Sequence, residues 1–509
     1  GPPHLEAQLS RPVAKEVTLI EKRRKVRLLF SSMRRLGKES PLVSALRGLE
    51  KNDDLAVTVV VAQASQQAVI TECFPTADFQ VRGLGNWPEP SDRVFSAEVL
   101  SLFSTTANSA GFLDFKRQVL ASLNRHDSSG TFRMIDREMY FQESLLAILS
   151  LLVRNRVTHL FFDITPHVSR DYMLYWVGKT LGLKVLFFQP VPWAGISVPK
   201  SDITGSVAVT PAMWSPASFP PVSDFFSHSL GQGRVLVDNL KQSNAGWVAK
   251  YQAPEIKKLD ARSPSFFKNA ASVRRKMAAR NSVNFSGLGG GRFADQLLAV
   301  FLEWRLRKDF LKVRTIINSL AFKPPRDYVL FALTHEPERT FFPEALPHQS
   351  QFEVALEIAA NLKPGFKLLV KEHETQFVPG RRGYASRSLH FYRVLQQVAN
   401  IQVVPSAASA KSLVHGASAV VSATGTICLE AALQGKPSYH FGHPWWAGFP
   451  GTKRLERFDG IVMDGWEVPG EMDIEQWVSH FINTCVPTTA NVDSAEFSQK
   501  FAALPEYFP

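Results

Sequence analysis

The chain has 509 residues, 45% of them hydrophobic and 20% charged, and its 58 Lys and Arg against 46 Asp and Glu leave a net charge of +12. That length exceeds one ordinary core and predicts two domains of a soluble globular protein. No apolar run approaches the ~20 residues that a membrane-spanning helix needs, and three cysteines (Cys73, Cys428, Cys485) without metal-ligand spacing argue against disulfide stapling and a zinc site.

Gly1-Pro2 reads as a protease scar, residues 1–24 as a flexible N-terminus, and no secretory signal is visible. From residue 25, "KVRLLF" (25–30) predicts a strand, "SPLVSALRGLEK" (40–51) a helix capped by Ser40, and "LAVTVVVA" (55–62) the next strand. "YFQESLLAILSLLVRN" (140–155) predicts a buried helix and "VTHLFFDI" (157–164) a strand. "SRDYMLYWVGKTLGL" (169–183) is a helix stopped by Gly182, and "KVLFFQ" (184–189) is a strand. Continuous apolar strands alternating with helices predict a parallel sheet covered on both faces.

Residues 190–325 break this rhythm with a Pro-, Ser- and Trp-rich stretch and basic helical segments, including the long helical pattern at 293–320. The alternation restarts with strands "DYVLFAL" (327–333), "FKLLVKEH" (366–373), "IQVVP" (401–405), "SAVVSA" (418–423) and "PSYHFG" (437–442). Helix-like segments separate them. The expected fold class is α/β and GT-B-like: two Rossmann-like domains, 25–225 and 326–480, with parallel sheets facing a cleft. A helical basic connector (226–325) joins them, and a tail (481–509) follows.

Polar clusters gather where strands are predicted to end, which is where open α/β sheets place ligands. In "VVSATGTICLEAALQGKPSYHFG" (420–442), Ser422, Thr424, Gly425 and Thr426 stand between a strand and a helix, with Glu430 one turn inside it. Backbone N–H groups and hydroxyls there suit a phosphate, and Glu430 suits ribose hydroxyls. "VKEHETQF" (370–377) offers Lys371, Glu372 and His373, the lysine to offset phosphate charge and the histidine to donate to or protonate a departing phosphate. "FALTHEPERTFFPE" (331–344) offers His335, Glu336, Glu338 and Arg339. In the first half, Asp163, His167 and Asp171 of "FFDITPHVSRDY" (161–172) are candidates for a general base, and Arg34, Arg35 and Lys38 for acceptor contacts. No Asp-x-Asp, P-loop, G-x-G-x-x-G after the first strand or G-x-S-x-G is present. No metal and no cofactor is therefore expected.

"DYVLFALTHEPERT", "LLVKEHETQF", "FYRVL", "VSATGTICLEAALQGKPSYHFGHPWW" and "THLFFDITPH…DYMLYWVGKTLGLKVLFFQ" resemble bacterial capsule polysaccharide biosynthesis proteins. These are GT-B glycosyltransferases related to the capsular Kdo transferases and, more remotely, the bacterial sialyltransferases. The resemblance spans roughly residues 155–190 and 325–455. It implies a CMP-activated 2-keto-3-deoxy acid sugar as donor, with His373 in the role of the family's histidine and Ser422, Thr424 and Thr426 holding the CMP phosphate. Glu374 departs from the pattern by standing where the family has proline, and a second His-Pro at His443 implies a residue lining the cleft near the sugar. Glu338, Glu372 and Glu430 then become ribose or base contacts, or a nucleophile if the enzyme retains configuration.

Two rivals remain: the same architecture using a UDP- or GDP-sugar, and a non-catalytic glycan- or lipid-binding partner in polysaccharide assembly. The expected partners are a nucleotide-sugar and a glycan or lipid-linked glycan, and nucleic acid is not expected. Basic runs such as "EKRRKVR" (21–27) and "ASVRRKMAAR" (271–280) add contact with an anionic membrane. The expected location is cytoplasmic, peripheral at the inner membrane.

Overall fold

The computed structural model describes residues 26–32, 41–51, 55–81, 95–123, 133–191, 196–205, 293–378, 381–461, 463, 466 and 468–487. Residues 1–24, Arg34, Arg35, Lys38, Ser40, the basic run 271–280 and most of the predicted connector lie outside them.

The apolar runs become the central strands of two sheets. The first half contributes β1 (Val26–Ser31), α1 (Pro41–Lys51), β2 (Leu55–Ala62), α2 (Gln67–Cys73), β3 (Asp78–Val81), α3 (Ala97–Ala107), α4 (Phe112–Leu123), α5 (Met134–Arg154), β4 (His159–Phe162), α6 (Ser169–Thr180), β5 (Lys184–Pro190) and β6 (Ile196–Lys200). The helical pattern at 293–320 is α7 (Phe293–Asn318). The second half contributes β7 (Tyr328–Ala332), α8 (Gln351–Ala360), β8 (Lys367–Lys371), α9 (Leu389–Gln397), β9 (Ile401–Val404), α10 (Ala410–Gly416), β10 (Ala419–Ser422), α11 (Ile427–Leu433), β11 (Ser438–His440), β12 (Thr452–Arg454), α12 (Glu471–Thr484) and β13 (Val486–Pro487).

The first sheet runs β13-β6-β5-β4-β1-β2-β3, the second β12-β11-β10-β7-β8-β9. All pairings are parallel except β5–β6 and β6–β13. In each half the chain builds outward for three strands, then returns to the other side of its starting strand. The order therefore reverses between β1 and β4, and again between β7 and β10, and these crevices are where such sheets bind ligands. The chain is thus an α/β protein of two Rossmann-like domains.

Burial on both faces explains the unbroken apolar strands: all five residues of β7 are buried. Two glycines end helices, Gly182 as the sequence predicts. At Gly435 (φ +71°) the Lys436 amide donates to Ala431 O at 2.9 Å and the Gly435 amide to Ala432 O at 3.0 Å. Gly182 (φ +74°) ends α6 the same way, through Leu183 to Gly178 O at 2.8 Å. A left-handed residue after the helix is what glycine supplies without a Cβ clash. The apolar segment within 144–153 is part of α5, with Leu145, Ile148, Leu149, Leu151 and Leu152 buried. Among the described residues no helix is long and apolar enough to cross a membrane.

The domains are interlocked. Phe342 and Leu346, from the segment after β7, join the first domain's core, where Phe342 meets Tyr172 edge-on at 4.9 Å. In return, α12 packs Ile474, Val478 and Phe481 with Val191 and Val198, and β13 pairs with β6. The predicted boundary at 480 thus falls inside a helix that bridges the halves.

Candidate functional site

At the second reversal point, Ala423–Thr426 turns β10 into α11. Ser422 Oγ donates to Ala332 O at 2.8 Å and Thr424 Oγ1 to Thr340 O at 2.5 Å. Both hydroxyl protons are therefore spent on pinning this loop to β7 and the segment beyond it. Thr426 keeps its hydroxyl: the side chain makes no capping bond and has no partner among the described residues. The backbone N–H groups of Thr424, Gly425 and Thr426 likewise find no acceptor among the described residues. Such amides form an anion cradle. Because α11 has only seven residues, the amides matter more than its dipole. Gly425 is required by closeness, since a Cβ there would lie 2.6 Å from Ser422 Oγ.

Glu430, one turn into α11, is partly buried and has no hydrogen bond or ion pair among the described residues. Burial pushes its carboxyl up to about 7. A carboxylate so placed is short of donors, which ligand hydroxyls would supply.

His373 follows β8. Thr375 N donates to its Nδ1 at 3.3 Å, and Thr375 Oγ1 lies 2.7 Å from the same nitrogen. A backbone amide can only donate, so Nδ1 is unprotonated and Nε2 carries the hydrogen. Nε2–H has no acceptor among the described residues. Burial, with His335, Lys371 and Arg381 nearby, pushes the imidazole down to about 3. In the neutral ring Nε2 can donate a hydrogen bond. The His335 ring lies 6.4 Å away, and its buried Nδ1 has no partner among the described residues. β8 and β10 flank β7 on either side, so their ends stand about 10 Å apart, a span that a nucleoside phosphate bridges. Glu338 accepts from Thr340 Oγ1 at 3.2 Å through one oxygen and remains partly exposed.

Besides Ser422 and Thr424, three predicted residues have different surroundings from those expected. The Lys371 ammonium donates to Glu372 O at 3.1 Å and Ser406 O at 2.9 Å, toward the β9 side and away from the 423–426 loop. Burial lowers its pKa. Glu372 has both oxygens committed: Oε1 accepts from the His373 amide at 2.9 Å, and Oε2 from Arg387 Nε at 2.9 Å and Tyr392 Oη at 2.7 Å. The carboxylate that the sequence offers to a ribose is spent on a buried arginine, which also pairs with Glu336. His443 is 5% exposed and sits at the joint between domains. Its amide donates to Glu344 O at 2.6 Å, and its carbonyl accepts from Gln189 Nε2 at 2.9 Å.

In the first domain the candidates sit at the β1/β4 reversal. Asp163 accepts from Ser32 Oγ at 2.6 Å and Asp171 from Ser31 Oγ at 3.0 Å; both carboxylates are buried. His167 is partly exposed, and its Nδ1–H donates to Thr165 O at 2.8 Å, which leaves Nε2 as the basic nitrogen of the neutral ring.

The two clusters meet through Thr165 and Glu344, which the sequence does not single out, and through Arg339, which it does. Thr165 Oγ1, two residues from both Asp163 and His167, donates to Glu344 Oε1 at 3.0 Å, and Arg339 pairs with the same carboxylate. Glu344 is tied in turn to the loop after β10: a Cβ on Gly442 would lie 2.7 Å from both Glu344 O and Thr424 Cγ2. The only local signal for Glu344 is a lone carboxylate in an apolar, proline-flanked stretch, "FFPEALP". Among the described residues no group of three or more His, Cys, Asp and Glu is arranged to hold a metal ion.

No family model matches this chain, and no curated protein does. Among solved structures, it is similar to KpsC of Thermosulfurimonas dismutans, a beta Kdo 2,7 transferase, at 9% identity over 88% of this chain and 100% of that one, with a TM-score of 0.29. A kitacinnamycin glycosyltransferase matches at 12% identity over 96% of this chain and 100% of that one, with a TM-score of 0.20. The UDP-GlcNAc 2-epimerase of Methanocaldococcus jannaschii matches at 10% identity over 94% and 100%, again with a TM-score of 0.20. At these values the reading of the site rests on this chain's own geometry.

Proposed function

We propose that this chain is a metal-independent glycosyltransferase that moves a 2-keto-3-deoxy acid sugar, Kdo or a nonulosonic acid, from its CMP donor to a hydroxyl of a bacterial surface glycan. One observation carries the reading. Donors and an acceptor without partners among the described residues lie at strand ends of one sheet: the 424–426 amides, the Thr426 hydroxyl and Glu430 after β10, and His373 Nε2–H after β8. That set suits a phosphate joined to a ribose. The motif resemblance supplies the base and the sugar class.

On this reading the ribose hydroxyls donate to Glu430 while the phosphate oxygens accept from the amides, Thr426 and His373. The acceptor hydroxyl gives its proton to His167 Nε2 as its oxygen bonds to the anomeric carbon. The bond from that carbon to the phosphate oxygen breaks, its electron pair leaving with CMP. The phosphate gains negative charge in that step, so donors fixed in place beforehand stabilise the transition state more than the ground state. Asp163 and Asp171 position the ends of β1 and β4 beside the base. The partners are then a nucleotide-sugar and a glycan or lipid-linked glycan, with the basic runs of the sequence drawing the protein to an anionic membrane.

The test combines binding and turnover. CMP should raise the melting temperature more than UDP or GDP, because a ligand selective for the native state stabilises it. His373→Ala should slow transfer about 100-fold with circular dichroism unchanged. Stabilisation by UDP or GDP alone overturns the donor; an undiminished rate in the variant removes His373 from the site.

A further inference from the structure

Lys200 ends β6 and is 4% exposed. Among the described residues its ammonium has neither a hydrogen bond nor an ion pair, an arrangement that costs free energy unless something anionic completes it. Burial pushes it down to about 8, against the pull of Glu344 and Asp202, so it is still charged at neutral pH.

The carboxylates near it are already committed. Glu344 is paired with Arg339 and accepts from Thr165. Asp202 accepts from Thr204 N and Oγ1, both at 2.9 Å, and faces Lys179 at 3.5 Å. Arg454, on β12 of the other domain, contacts only His443 Nε2, at 3.3 Å, among the described residues. That nitrogen also lies 3.2 Å from Leu346 O, and it can accept from the arginine or donate to the carbonyl but not both. Burial, then the charges of Arg454 and Lys200, holds the His443 imidazole down at about 4, which fits a local excess of positive charge. Two cations are left without a carboxylate, one from each domain, beside the segment that joins the half-sites.

We propose that Lys200 and Arg454 form an oxyanion subsite across the domain joint, taking a carboxylate or phosphate group of a bound substrate. The subsite is complete only when the two domains are docked, and it does not depend on which nucleotide the 423–426 loop accepts.

Inorganic phosphate, glucuronate and, as neutral control, glucose are titrated separately against the full chain, its K200M variant and K200R. The wild type should be stabilised by an oxyanion and not by glucose. K200M should bind that oxyanion about tenfold or more weakly, and K200R should retain it. Without ligand, K200M should melt no lower than wild type, since it loses an uncompensated buried charge. A K200M-sensitive response to glucuronate alone assigns a sugar carboxylate; one to phosphate alone assigns a phosphate. Equal anion response in wild type and K200M, no response of the wild type to either anion, or a lowered ligand-free melting temperature with anion binding intact overturns the proposal. Should K200M fail to fold, R454Q, at an exposed position, takes its place in the same titration, and an unchanged response overturns it equally.

Discussion

Glu430 meets neutral pH half-protonated, because burial pushes its carboxyl from an ordinary 4.5 to about 7. Between those values the unfolded chain releases a proton that the folded chain keeps. Stability without ligand therefore falls as pH rises from 4.5 to about 7 and stays low above it. Ribose hydroxyls favour the ionised carboxylate, so nucleotide binding should release protons below about pH 7, and affinity should rise with pH up to that point and then level. Glu430→Gln should be at least as stable as wild type at about pH 8, bind nucleotide about tenfold more weakly and release no proton. Calorimetry in two buffers of different ionisation enthalpy measures this; a buffer-independent heat in the wild type contradicts it. His373, held near 3 by burial, stays neutral throughout, so its hydrogen bond contributes evenly across that range.

At the level of elements, one buried arginine ties three of them together. Arg387, just before α9, joins Glu336 after β7 and Glu372 after β8, while Tyr392 of α9 donates to Glu372. Arg387→Ala leaves two carboxylates unpaired in the interior and should cost about 3–5 kcal/mol in urea unfolding; a loss below about 1 kcal/mol would mean that water reaches the pair. Glu372 also shows why sequence alone misassigned it. A carboxylate at a strand end is visible in "VKEHE", but its partner lies 15 residues further on, across a turn with no periodic pattern. Strands β7, β8 and β10 are legible because burial on both faces demands unbroken apolar runs, whereas β12 is Thr-Lys-Arg and mostly exposed, and β13 has only two residues. Within the candidate site, the turn that carries Gly425, Thr426 and Glu430 is legible because a strand-to-helix turn has a local sequence pattern. Thr165, Glu344 and Lys200 are not, since each acquires its meaning from the opposite domain.

For the molecule as a whole, Thr165–Glu344 is a hydrogen bond that ties the loop after β4 to the segment after β7 in the other domain. Thr165→Val keeps the buried volume and removes that bond. It should cost about 1–3 kcal/mol of stability, slow transfer several-fold and leave nucleotide affinity unchanged, because the 423–426 loop and Glu430 lie wholly in the second domain. Equilibrium binding and turnover measured on one preparation separate these effects; a parallel loss of both would show that the joint shapes the nucleotide pocket itself.

The last described strand, β13, is stitched onto β6 at the rim of the first sheet, and Trp477 stacks on Phe481 at 4.7 Å in the helix leading to it. A gene cut between the halves would therefore yield two incomplete products. The leading fragment would carry a raw sheet border open to self-association, and the trailing one a greasy helix with nothing to lie on. Co-expressing the fragments is the route by which they would regain solubility.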